Sequence, residues 1–178
     1  MPDRRPQRGA TQPTGPGRSA QAATTAQEPP PRWPLPHRGP VLVDSGPLIA
    51  LFNGADQWHQ PTRNWLQHNP AASLISTWPV ATEVCALLAR RIHHEAALDF
   101  LRWVQRGGLS LDVAGEGSLT DVLRIAERFA DLPFDLADAS IAEAAARLRL
   151  KHLLSIDTDF DVYRDRAGKP LINLLRRS

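Results

Sequence analysis

The chain has 178 residues, 42% of them hydrophobic, with a formal net charge of +2 and a single cysteine. This length suits one domain with a tail rather than two domains. Cys85 alone excludes an internal disulfide and points to a reducing compartment or to indifference to redox, no apolar run approaches the roughly 18 residues of a membrane span, and a cytoplasmic location is expected.

The positive charge is concentrated at one end. Residues 1–40 carry six arginines against Asp3 and Glu28, whereas residues 41–178 carry 15 Lys/Arg and 17 Asp/Glu. Bulk basicity therefore gives no argument for nucleic-acid binding by the domain; that argument needs a site. Ten of the sixteen prolines fall in residues 1–40, with few large apolar side chains. Residues 1–39 are expected to form a disordered Pro/Arg-rich extension, and residues 40–178 the folded domain.

From Val41 the texture changes. Val41-Leu42-Val43 reads as a short strand ending at Asp44, and Gly46-Pro47 turns the chain into a first helix through Leu48–Phe52. A second helix is expected over Trp58–His68, then a strand over Ser73–Ser76. Pro79 suits the first turn of a third helix reaching Arg91. A fourth spans Glu95–Gln105 and stops at Gly107-Gly108, followed by a strand over Leu109–Val113. Helices are then expected over Ser118–Ala130 and from Asp135 to Leu150, with strands at Leu153–Ile156 and Leu171–Leu174. Strands alternating with helices predict an α/β fold: a mostly parallel central sheet of about five short strands sandwiched by helices.

Four carboxylates fall at positions that a solvated acid does not need. Asp44 and Asp157 follow apolar strands, where open parallel sheets bind ligands. Glu83 lies on the apolar stripe of the third helix, three after Val80 and four before Leu87. Asp138 lies three before Ile141 on the inward side of its helix, in the first turn. Singly, each has an ordinary explanation: Asp44 in a turn, Glu83 paired with an arginine, Asp135 and Asp138 answering a helix N-terminus. Together they would repel one another and raise their pKa values, a conflict that a hard divalent cation resolves. Mg²⁺ or Mn²⁺ suits such an all-oxygen set, and the six histidines and Cys85 show no zinc spacing.

At these residues the sequence resembles the PIN-domain family, and within it the VapC-type toxin ribonucleases of type II toxin–antitoxin systems. The likeness is carried by Val41-Leu42-Val43-Asp44-Ser45-Gly46-Pro47, by Thr82-Glu83-Val84-Cys85-Ala86-Leu87, by Leu136-Ala137-Asp138-Ala139-Ser140 and by Leu154-Ser155-Ile156-Asp157-Thr158-Asp159-Phe160. It implies a PIN-like nuclease fold and a Mg²⁺- or Mn²⁺-dependent endoribonuclease. Asp44 and Asp138 would then be the main metal ligands, Glu83 a ligand or water-orienting group, and Asp157 the last acid, with Asp159 as its alternative. It further implies a cognate antitoxin and a homodimer, the latter expected through apolar helix surface between residues 79 and 105.

The chemistry expected is hydrolytic displacement at phosphorus without a covalent nucleophile, Cys85 reading as packed core. An acidic pocket repels RNA, so arginines outside it must hold the substrate; Arg90, Arg91, Arg164 and Arg166 are candidates. Trp58 and Trp78 are candidates for stacking on bases, although packing is the commoner use of such residues. Two rival readings stand beside this one. Asp157-Thr158-Asp159 resembles the motif of aspartate-nucleophile phosphatases, but only 19 residues follow Asp159, too few for that fold. The other rival is a PIN-like module that binds RNA or protein without cutting.

Overall fold

The fold is described from a computed structural model covering residues 36–132 and 134–176. The expected N-terminal extension therefore lies outside the described residues except for its last four, and β1 (Gly39–Val43) begins one residue before the expected boundary. The run Val41-Leu42-Val43 lacks polar alternation, as a strand covered on both faces requires, and all three side chains are buried.

Around β1 stand β2 (Ala72–Thr77), β3 (Ser110–Asp112), β4 (His152–Leu154) and β5 (Ile172–Asn173), in the order β3-β2-β1-β4-β5. Every pairing is parallel, with Val41 opposite Leu74 and Leu42 opposite both Ile75 and Leu153. The order reverses direction at β1, so the crevice beyond the carboxyl ends of β1 and β4 is the topological switch point of the sheet.

The connecting helices are α1 (Ser45–Leu51), α2 (His59–His68), α3 (Trp78–Arg91), α4 (His94–Gln105), α5 (Glu116–Arg128), α6 (Leu136–Leu148) and α7 (Asp159–Val162). Helix α6 is buried from Ala137 to Ala145 and packs on α3, α5, β1 and β2. Its alanines make that close approach possible. Helix α1 packs on α2 and α3, and α3 on α4. Among the described residues no helix is long and apolar enough to cross a membrane.

Most element boundaries match the sequence reading to within one or two residues, and the departures have identifiable causes. Strand β4 stops at Leu154, two residues short of the expected Ile156. The Ser155 N–H donates to Asn173 Oδ1 (3.4 Å) and its carbonyl accepts from Asn173 Nδ2 (2.8 Å), so an amide side chain replaces the next rungs of the ladder. Helix α6 ends at Leu148 rather than Leu150 because Arg149 turns left-handed at φ 57°, and Leu150 N–H closes back on Ala145 O at 2.9 Å.

Exposed apolar side chains lie both inside and outside the segment 79–105. Of the segment 79–105, Leu101 is the large exposed apolar residue, whereas Trp78, Val113, Leu119, Leu123 and Leu136 stand exposed outside it. Trp58 packs against the core, as does Cys85, and Trp78 is 55% exposed.

Candidate functional site

Asp44 is held by the sheet itself. Its backbone N–H donates to Leu154 O at 3.0 Å, continuing the β1–β4 ladder by one rung. Its Oδ1 accepts from Ser45 N at 2.7 Å, capping α1, and its Oδ2 accepts from Ser155 Oγ at 2.8 Å. The side chain is buried. Burial pushes its carboxyl up to about 6, with the charges of Glu83 and Asp157 adding to the rise against the opposing bonds from Ser155 and Ser45.

Asp138 is carried by α6. It is the third residue of a reciprocal cap: Asp135 Oδ1 accepts from Ala137 N (2.7 Å) and Asp138 N (3.1 Å), while Asp138 Oδ2 accepts from Asp135 N at 3.1 Å. Asp135 and Asp138 therefore do answer the helix N-terminus, and the cap uses only one carboxylate oxygen of Asp138. Burial, then the charge of Asp44, push its carboxyl up to about 7, with smaller contributions from Asp135 and Asp157.

Asp157 lies three residues past the end of β4, in a turn rather than on the strand. Its N–H donates to Ser155 Oγ at 2.9 Å and its Oδ1 accepts from Asp159 N at 2.9 Å. Gly46 lets this turn lie against the start of α1: a Cβ there would stand 2.4 Å from Ile156 Cγ1. Glu83, in the second turn of α3, is half-buried rather than fully inside, and its charge is felt at Asp44. Asp159 is the first residue of α7, with Thr158 at the cap position, and is itself pushed up by burial and by the charge of Asp157. The charge of Asp157 acts on both Asp44 and Asp138, and that of Asp159 is among the causes at neither.

Asp44 and Asp157 are joined through Ser155 at the carboxyl ends of β1 and β4, and the charges of Asp44 and Asp157 act on Asp138 and that of Glu83 on Asp44. Among the described residues none of these four is ion-paired to a Lys or Arg, and no three acids close into a formed metal-binding group. The donor chemistry fits a hard divalent cation: carboxylates alone, of which Asp44 and Asp138 are raised toward neutrality by burial and by the charges of neighbouring acids.

The candidate RNA-holding arginines separate into two groups. Arg90 and Arg91 end α3, roughly 10 Å by helical rise beyond Glu83 and away from the carboxyl ends of the strands. Arg164 and Arg166 follow α7, closer in the chain to Asp157. Two supporting features escaped the sequence reading. Asn173, which orients Ser155, has no motif to announce it. Glu143 is buried and accepts from Ser118 Oγ (2.9 Å) and Arg147 Nε (2.8 Å), while Arg147 also grips Asp112. The available signal for that network was the Glu143–Arg147 spacing of one helical turn.

A parallel five-stranded α/β sheet with acids beyond the carboxyl ends of its strands is the setting for the family match. Residues 41–165 match the PIN domain, and the chain belongs to the PIN-domain family. Its likeness within that family is to the VapC-type proteins. Ribonuclease VapC26 of Mycobacterium tuberculosis is 27% identical over 117 residues, 66% of this chain and 86% of that protein. The crystal structure of M. tuberculosis VapC20, a Sarcin-Ricin loop cleaving toxin, superposes with a TM-score of 0.66 at 19% identity, covering 75% of this chain and 98% of that one.

Proposed function

We propose that this chain is a metal-dependent endoribonuclease that hydrolyses RNA phosphodiester bonds as the toxin of a cytoplasmic toxin–antitoxin pair. The reading rests on one observation above the others: a buried hydroxyl, Ser155 Oγ, joins the buried Asp44 at the end of β1 to Asp157 beyond β4, while Asp138 is buried in the first turn of α6. The likeness to a VapC ribonuclease supports RNA as the substrate.

In this reading Asp44 and Asp138 hold Mg²⁺ or Mn²⁺, Glu83 binds it or orients water, and Asp157 rather than Asp159 completes the pocket. The bound cation supplies Lewis acidity and neutralises charge at phosphorus. Ser155 aims Asp44 Oδ2, and the Asp135 N–H fixes Asp138 Oδ2 and leaves its other oxygen for the cation. Cys85, partly buried in α3, takes no part.

Incubation with total RNA, with and without EDTA, followed by mapping of the cut ends, tests the proposal. Cleavage should require Mg²⁺ or Mn²⁺ and disappear in Asp44→Asn and Asp138→Asn. Cleavage that survives either substitution refutes the mechanism, and RNA binding without any cleavage favours the non-nuclease module. The proposal includes a cognate antitoxin that covers the pocket and a homodimer, to be checked by co-purification and light scattering.

A further inference from the structure

On the flank of the domain a cleft of about 810 Å³ opens between α5, α6 and the segment after α7. Arg128, Arg147, Arg164 and Arg166 line it together with Phe129 and Tyr163. Arg147 is fully engaged by Glu143 and Asp112. The other three face two lining acids, Asp121 and Asp165, so the cleft keeps a surplus of positive charge. Arg166 shares Asp121 with Arg124, so one carboxylate answers two guanidiniums. Arg164 donates to the carbonyls of Asp161 (2.6 Å) and Tyr163 (2.7 Å), which fix it without neutralising it. Arg128 lies over the Phe129 ring, 5.2 Å from its centroid, and has no carboxylate partner among the described residues.

We propose that this cleft carries the RNA backbone flanking the scissile bond, with Arg128, Arg164 and Arg166 holding its phosphates. The inference rests on the ribonuclease reading above and assigns residues to a need that reading creates. An all-acid crevice repels a polyanion, so affinity must come from cations beside it. Packed aromatic rings connect Tyr163 of the cleft to the elements that carry the acids. Phe134, which precedes the Asp135–Asp138 cap, stacks on Tyr163 (5.9 Å) and meets Phe160 of α7 edge-on (5.4 Å), and α7 begins two residues after Asp157. Arg166 is tethered at Asp121 and Arg128 lies seven residues further along α5, about 10 Å by helical rise. Charge spread along a groove suits a row of phosphates better than one small anion. Guanidinium forks also match phosphate geometry.

The test is fluorescence anisotropy of a short labelled single-stranded RNA in EDTA, across a salt series, with wild type, Arg128→Gln/Arg166→Gln and Arg128→Lys/Arg166→Lys. Both side chains are exposed, Arg166 at 72%, so the substitutions spare the fold. The Gln pair should bind about tenfold more weakly and lower the salt slope by about 1.4, near 0.7 for each phosphate no longer neutralised. The Lys pair should recover most of both. Unchanged affinity and slope in the Gln pair overturn the assignment. If RNA binding is unchanged while binding of polyglutamate falls, the cleft docks an acidic protein segment and the RNA assignment is wrong. Arginine-dependent binding by a wild type that never cleaves with Mg²⁺ or Mn²⁺ sinks the ribonuclease reading alone; cleavage and binding indifferent to both arginines sink the cleft alone.

Discussion

Ser155 Oγ donates to Asp44 Oδ2 at 2.8 Å and accepts the Asp157 N–H at 2.9 Å, so one buried hydroxyl ties the first acid of the site to the last. Ser155 is in turn clamped on both backbone groups by Asn173. The acids are therefore positioned by a hydrogen-bonded relay that runs through β1, β4 and β5.

Ser155→Ala removes that hydroxyl and leaves a buried carboxylate oxygen without its donor. The bond lowers the Asp44 pKa, so its loss should push that pKa further up. Metal-dependent RNA cleavage should fall by about tenfold, the scale of one lost hydrogen bond to a charged group, and its acid limb should move to higher pH. A pH–rate profile checks this; a fall in rate with the acid limb unmoved would assign Ser155 a purely structural part.

The raised acids make a signed prediction about stability. Asp44 at about 6 and Asp138 at about 7, against 3.8 ordinarily, mean that the folded chain retains protons the unfolded chain has released. Their contribution is fully present below about pH 4 and is lost as pH rises through 6 and 7. In cation-free buffer Tm should fall between pH 5 and pH 8, and Asp138→Asn should flatten that fall and raise Tm at pH 8. Added Mg²⁺ should raise the pH 8 Tm of wild type and not of the variant. Thermal melts followed by circular dichroism decide it, and parallel wild-type and variant curves contradict it.

Gly46→Ala places a methyl where Ile156 Cγ1 already stands, 2.4 Å away. Overpacking of this kind costs about 1–3 kcal/mol. The accommodation must come from the turn carrying Asp157, so cleavage should drop more than Tm alone implies. Comparing the fraction folded with specific activity at 25 °C separates the two effects.

Arg147→Ala strips the buried Glu143 of its cation and leaves it Ser118 alone. Glu143 is buried but Arg147 is partly solvated, and leaving one buried group short of its partner costs about 1–3 kcal/mol. Urea unfolding should show the loss, and Arg147→Ala/Glu143→Gln should recover part of it. No recovery would mean that Arg147 acts through Asp112.

How much of this was readable in the sequence depended on the kind of force involved. Apolar periodicity placed every strand and the longer helices, because burial repeats at the spacing of the element it drives. Helical phase put Asp138 inside correctly, and Glu83 on the same principle came out half-buried, since an early position near the strand ends exposes it to the crevice. The end of β4 was misplaced because what stops it is Asn173, a side chain 18 residues further on. The Arg147 network was passed over for a similar reason: Asp112 lies 35 residues away, and only folding reveals the pair.

The Asp44–Ser155 bond spans 111 positions of the chain, and Asn173 lies further on still. A nascent polypeptide on the ribosome therefore exposes β1 and its aspartate long before the partner that orients it has been synthesised. If the chain is the ribonuclease proposed, products truncated before β4 lack the group that orients Asp44 and should be inert toward the very RNA that surrounds them at birth.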